Sequence, residues 1–175
     1  MKSTILILYL VSLHNLSFAQ SSTIDKLFDK YSGKDGFTTV IISQYMFDMF
    51  RDVQTNDKDF DDIKKGLKCI RILAVENLKA IPAGSNFYKE IIKDIPLNQY
   101  KELMTIKQKD QDVKFLIKES QGKIVELLLI SGGKDNAFIS IEGAIDIKNI
   151  AKLSKSLNIQ SMKPLENVGK DATKK

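Results

Sequence analysis

Several groups of residues in this chain have types and spacings that could do chemistry. The first is Ser131-Gly132-Gly133-Lys134-Asp135-Asn136, where a glycine pair runs into a lysine. A phosphate-cradling loop would need a glycine separated by four residues from its Gly-Lys pair, a serine or threonine after it, and a helix next. Leu128, Asp135 and a strand-like run stand there instead. The stretch therefore reads as a hairpin turn in which Gly132 or Gly133 supplies positive φ and Asp135 or Asn136 bonds back to the turn. Lys134, Asp135 and Asn136 are the residues through which such a loop would touch a ligand, and they are the candidate binding residues.

Asp57, Asp59 and Asp61 alternate like the ligands of a calcium loop, but Asp62 stands where the sharp turn needs glycine and Lys68 where a bidentate glutamate closes the site. These acids are better explained as the first turn of a helix capped by Asn56, with Phe60, Ile63 and Leu67 as its apolar stripe. Glu126 and Glu142, on neighbouring strand-like runs, could form a carboxylate pair for glycoside cleavage, and a serine with a lysine could cleave amides. Their alternation with apolar neighbours predicts a solvated strand face. Cys69 is the sole cysteine, so no internal disulfide forms, and its apolar surroundings predict a buried, inert thiol.

The first residues, MKSTILILYLVSLHNLSFAQ, have a positive start at Lys2, an apolar run from Ile5 to Leu13, and small residues at Ser17 and Ala19. This is the pattern of a signal peptide cut after Ala19, and the run is too short for a transmembrane anchor, which needs about 20 apolar residues. The cut removes His14, the only histidine. Histidine-activated nucleophiles, histidine-bound zinc and histidine proton shuttles go with it. No catalytic residue, metal ligand set or cofactor fingerprint is assigned. The formal net charge of +5 falls by one with Lys2, and of the 27 basic residues only Arg51 and Arg71 are arginine. Nucleic-acid recognition favours arginine's planar fork, so no nucleic-acid partner is expected.

The elements that must position these residues follow from periodicity. Ile24, Leu27, Phe28 and Tyr31 fall on one helical face, with Ser22 and Asp25 as a capping box and Gly33 as a stop. FTTVIIS, residues 37–43, reads as a strand that turns into the helix SQYMFDMF with Ser43 as cap. The stripe of Met46, Phe47, Met49 and Phe50 is expected mainly in the core. A strand spans Cys69 to Leu73, and a further helix carries Phe87, Ile91 and Ile95, with Ser85 near its start and Pro96 at its end. Then YKELMTIK, VKFLIKES, KIVELLLIS and AFISIEGAI, joined by short turns, predict a four-stranded antiparallel meander. Leu127 to Ile130, apolar at successive positions, predict a central strand covered on both faces. DIKNIAKLSKSLNI closes the chain as a helix with Ile147, Ile150, Ala151 and Leu157 near one face. The expectation is an α+β fold: an antiparallel β-meander of about four to six strands packed with several amphipathic helices. It comprises a leader over 1–19, a single domain over 20–165 and a flexible tail over 166–175.

The order KYSGKDGFTTVIIS, LKCIRIL, YKELMTI, VKFLIKES and, above all, IVELLLISGGKDNAFISIEGAIDIKNIAKLSKSLNI resembles the small exported bacterial proteins grouped as domain of unknown function 4252. The resemblance runs from about Thr23 to Leu165. It implies an exported envelope protein and carries no catalytic residues. Such families can sit beside extracytoplasmic-function sigma factors, which implies envelope stress signalling. The expected function is a non-catalytic binding or regulatory module with an envelope protein partner, in the periplasm or released to the medium. A carrier of lipid or another apolar ligand, and a hydrolase that works without histidine, are the alternatives.

Overall fold

The computed structural model describes residues 22–54, 56, 61, 63–83 and 85–146. The leader, the acids Asp57, Asp59 and Asp62 with Phe60, the closing helix from Ile147 onward and the tail lie outside the described residues. The elements are helix α1 (Thr23–Tyr31), strand β1 (Phe37–Ile42), helix α2 (Gln44–Met49), strand β2 (Leu67–Val75), helix α3 (Phe87–Asp94), and strands β3 (Lys101–Lys107), β4 (Gln111–Ser120), β5 (Lys123–Gly133) and β6 (Ala137–Ile145). A helical turn at Asp61, Ile63 and Lys64 precedes β2, and 3₁₀ turns sit at Leu78–Ala80 and Leu97–Gln99.

All six strands form one antiparallel sheet in the order β1-β2-β6-β5-β4-β3. The expected meander is present as β3 to β6. It starts at the far edge and returns so that β6 zips onto β2, with Ile70 opposite Ile141 and Ile72 opposite Ile139. This leaves β1 and β3 as the two edges. At the turn into β6, Gly133 takes a φ of +126°, and an added Cβ there would strike the Asp110 carbonyl. Only glycine fits both the conformation and the space.

Each strand sends alternate side chains to opposite faces, and both faces are filled. On one, Leu73, Leu116, Leu128, Ile130 and Phe138 pack against Ile24, Leu27 and Phe28 of α1 and Phe87 and Ile91 of α3. On the other, Ile70, Phe115, Leu127, Leu129, Ile139 and Ile141 gather with Phe47 of α2 and with Ile63. Leu127 to Ile130 are each at most 2% exposed, as expected for a strand sandwiched on both sides. Each such side chain contributes about 1.5–3 kcal/mol relative to leaving it in water.

Local chemistry explains the helix starts. The Ser22 hydroxyl accepts from the Asp25 N–H at 3.0 Å, and the Asp25 carboxylate accepts from the Ser22 N–H at 3.0 Å, completing the capping box. In α3 the cap is Asn86 rather than Ser85: its side-chain oxygen accepts from the Lys89 N–H at 3.0 Å. Ser43 stands at the cap position of α2 but makes no side-chain bond there.

Candidate functional site

The filled face that carries α1 ends in a polar strip. By the two-residue period of β5, Glu126 shares its face with Leu128 and Ile130, and the register sets it directly opposite Glu142 on β6. Arg71 of β2 and Lys118 of β4 flank the pair, each on the same face, with Lys118 opposite Glu126 and Arg71 opposite Ser140. The first turn of α1 and the segment Pro96 to Tyr100 close over them. Together they wall a cleft of about 540 Å³. A second hollow of about 440 Å³ shares Lys118, Glu126 and Glu142 and adds Lys68 and Lys123.

The solvated strand face expected for the two glutamates is corrected at Glu126, whereas the Glu142 side chain keeps 33% of its surface exposed. Glu126 is only 9% exposed, because its strand is central and both flanking layers reach over it. Its Oε2 accepts from the Tyr100 hydroxyl at 2.8 Å and its Oε1 from the Ser140 hydroxyl at 3.3 Å. Burial lifts its pKa above the usual carboxylate range; the Tyr100 hydrogen bond opposes that rise and the neighbouring Glu142 charge adds to it. Burial also drives the Tyr100 phenol upward, with Glu126 reinforcing the effect, so Tyr100 stays a hydrogen-bond donor at any physiological pH.

Arg71 is already committed. One guanidinium nitrogen pairs with Asp25 at 2.8 Å and another with Glu142, tying α1 to the sheet through β2 and β6. Glu142 is thereby held next to a fixed cation, whereas among the described residues no ion pair reaches Glu126. Lys118 makes none among those residues either: its ammonium donates to the Gln99 side-chain oxygen at 3.1 Å and lies 5.8 Å from the Tyr100 ring centre. Tyr100 therefore contacts both, Glu126 with its hydroxyl and Lys118 over its ring, and across the β4–β5 pair the Lys118 charge also favours the ionised form of Glu126. Cys69, on β2 near Arg71, is partly exposed rather than fully buried, and burial still raises its thiol above the ordinary range.

The turn residues are placed differently. Asn136 is buried and folds back, donating to the Gly133 carbonyl at 2.8 Å and accepting from the Gly133 N–H at 3.1 Å. The Asp135 backbone is clasped by the Gln111 side chain. Lys134 is 77% exposed and reaches Asp110 at 3.9 Å. Lys134, Asp135 and Asn136 thus form the hairpin, away from the Glu126 cleft. Among the described residues, no three histidine, cysteine or acidic side chains are grouped to hold a metal ion.

A second surface lies at the β1 edge. The expected core stripe of α2 is corrected: only Phe47 is buried, while Met46, Met49 and Phe50 are 49%, 71% and 42% exposed. The helix has only six residues and sits at the sheet margin, so one residue reaches the core and the rest face outward. Val40, Ile41, Tyr45 and Val53, close in sequence, are exposed as well, with Val40 and Ile41 on opposite faces of the edge strand. No residue of β1 carries a charge, whereas the opposite edge, β3, has Lys101, Glu102 and Lys107.

The polar cleft was only half visible in the sequence. The period that buries Leu128 and Ile130 also buries Glu126, and one of the two arginines stands inside the apolar run LKCIRILAV, but Tyr100, Lys118 and Asp25 join them only through tertiary contact. No helix among the described residues is long and apolar enough to cross a membrane. A family model described as Domain of unknown function (DUF4252) matches residues 31–153. No curated protein and no solved structure matches.

Proposed function

The chain belongs to the DUF4252 family, and we propose that it is a non-catalytic binding module of the bacterial envelope that takes an extended segment of a partner protein onto β1. The carrying observation is the concentration of exposed apolar side chains. Of the nine large exposed hydrophobics among the described residues, seven fall between Val40 and Val53. Scattered exposed apolar residues are ordinary, but a concentration of them beside an uncharged edge strand is not. Native sheets blunt such edges with lysine or proline; β3 follows that rule and β1 does not. A strand added to β1 would satisfy its outward backbone groups, with α2 supplying apolar contacts for alternate side chains.

The leader-like first residues support export, and the resemblance to exported envelope proteins supports a role there in stress signalling. Carriage of an apolar ligand is the weaker reading, since side chains fill both faces of the sheet.

The test is crosslinking of the tagged protein in its host's intact envelope, with Ile41→Lys/Met49→Glu in parallel. One partner should be captured at near-stoichiometric yield by the wild type and lost by the variant, and the amides of β1 should become protected from hydrogen exchange when the purified partner is added. A partner retained by the variant, or β1 amides that exchange equally with and without it, would overturn the reading.

A further inference from the structure

We infer that the cleft between α1 and strands β2, β6, β5 and β4 is a second binding site, for a small zwitterionic amino compound of the α-amino-acid class, with its ammonium at Glu126 and Glu142 and its carboxylate toward Lys118.

Glu126 is nine-tenths buried, lines the cleft and has two hydroxyl partners but no salt bridge among the described residues; the Lys118 ammonium opposite acts on it only beyond contact distance. It faces a second carboxylate, Glu142, and the guanidinium between the strands is spent on Glu142 and Asp25. Two carboxylates side by side in a partly desolvated site repel, and an ammonium set between them removes that cost while donating to both. An anion alone would meet the same two carboxylates, and a neutral polyol would leave their repulsion in place.

The other half of the site is Lys118. It is oriented by Gln99 and the Tyr100 ring and forms no salt bridge among the described residues. The adjoining hollow adds Lys68 and Lys123, so ammonium groups and carboxylates line the same space. Tyr100 engages both Glu126 and Lys118 without a salt bridge forming between them, so each can still meet the opposite charge of a ligand. A cleft of about 540 Å³ lies within the range of ligand pockets, roughly 300–1,000 Å³, and leaves room for a side chain.

The experiment is calorimetric titration, with saturation-transfer NMR, of the protein purified from its host against the common L-amino acids. N-acetyl-L-alanine and L-alanine amide serve as probes lacking one charge. At least one amino acid should bind tighter than about 1 mM, and its N-acetyl and amide forms at least about tenfold more weakly. Glu126→Gln, which keeps the shape and the hydroxyl contacts, and Lys118→Met should each weaken binding at least about tenfold while circular dichroism shows the fold retained. Ile41→Lys should leave binding unchanged, so failure here and failure of the β1 docking surface are distinguishable. Absence of binding by any amino acid, equal binding of the N-acetyl form, or full binding by a folded Glu126→Gln variant would each overturn the inference.

Discussion

Tyr100→Phe tests whether the polar cleft is built as described. The substitution removes one oxygen and leaves the ring, so Lys118 keeps its aromatic platform and the packing barely changes. What is lost is the 2.8 Å hydrogen bond to a Glu126 that is 9% exposed. Hydrogen bonds to charged groups are worth about 1.5–3 kcal/mol, and a buried acceptor left without its donor incurs desolvation on that scale. At pH 7 the variant should therefore unfold with about 1.5–3 kcal/mol less free energy, read from urea titrations with unchanged m-value. For a chain of this size that is roughly 3–12 °C in Tm. The direction with pH follows from Glu126. Its folded pKa is raised, and the Tyr100 bond limits that rise; removing the donor penalises the ionised form. The penalty should be full above the folded value and shrink as pH falls through it, leaving at most the smaller cost of a neutral bond. A variant within about 0.5 kcal/mol of wild type at pH 7, or one whose deficit grows on acidification, would refute this account of the cleft.

Glu126→Gln should stabilise the protein at neutral pH and lose that advantage on acidification. Because the folded pKa is raised, the ionised carboxylate is the costly form, so wild-type stability is favoured below the unfolded value and falls as pH rises through the folded one. Paired thermal melts across the acidic range would show it. Leu128→Ala, at a position with no exposed surface in the central strand, should cost about 2–5 kcal/mol by chemical unfolding. Gly143→Ala should destabilise comparably, because its φ is +143° and an added Cβ would strike the Gly66 carbonyl; a folded variant of wild-type Tm would contradict the tight β2–β6 approach. Ile41→Lys, by contrast, sits on an exposed edge and should stay within about 0.5 kcal/mol of wild type.

How much of this was legible beforehand depended on the range of the forces involved. Periodicity is local, so α1 with its capping box, the β3 to β6 meander and the doubly covered LLLI run could be read directly. The pairing of β6 with β2 could not, because nothing near Ile70 or Ile141 specifies a partner some 70 residues away. The α2 stripe misled for a related reason. An apolar helical face signals burial only if a layer covers it, and coverage is a property of the whole fold; Met46 and Met49 have the core's composition at the sheet's margin. Glu126 misled in the opposite sense. Its charge pointed to solvent, while its position two residues before Leu128 on a central strand placed it inside.

Arg71 is where the two surfaces meet. On β2 its register neighbour on one side is Ile41 of the exposed edge strand, and on the other Ser140, which reaches Glu126. Its guanidinium pairs with Asp25 and Glu142 in the cleft. A strand added to β1 would lie beside Ile41 and hence one strand away from the group that sets the cleft's charge. Arg71→Met removes that group. With side-chain exposure of 16% against 33% for both carboxylates, the loss should fall between the about 0–1 kcal/mol of a surface pair and the about 3–5 kcal/mol of a buried one. The variant should also strengthen ammonium binding in the cleft, because Glu142 loses its resident cation, while leaving partner capture at β1 unchanged. If the same substitution instead abolished capture at β1 in a folded protein, the two surfaces would be one functional unit, with Arg71 as the link between them.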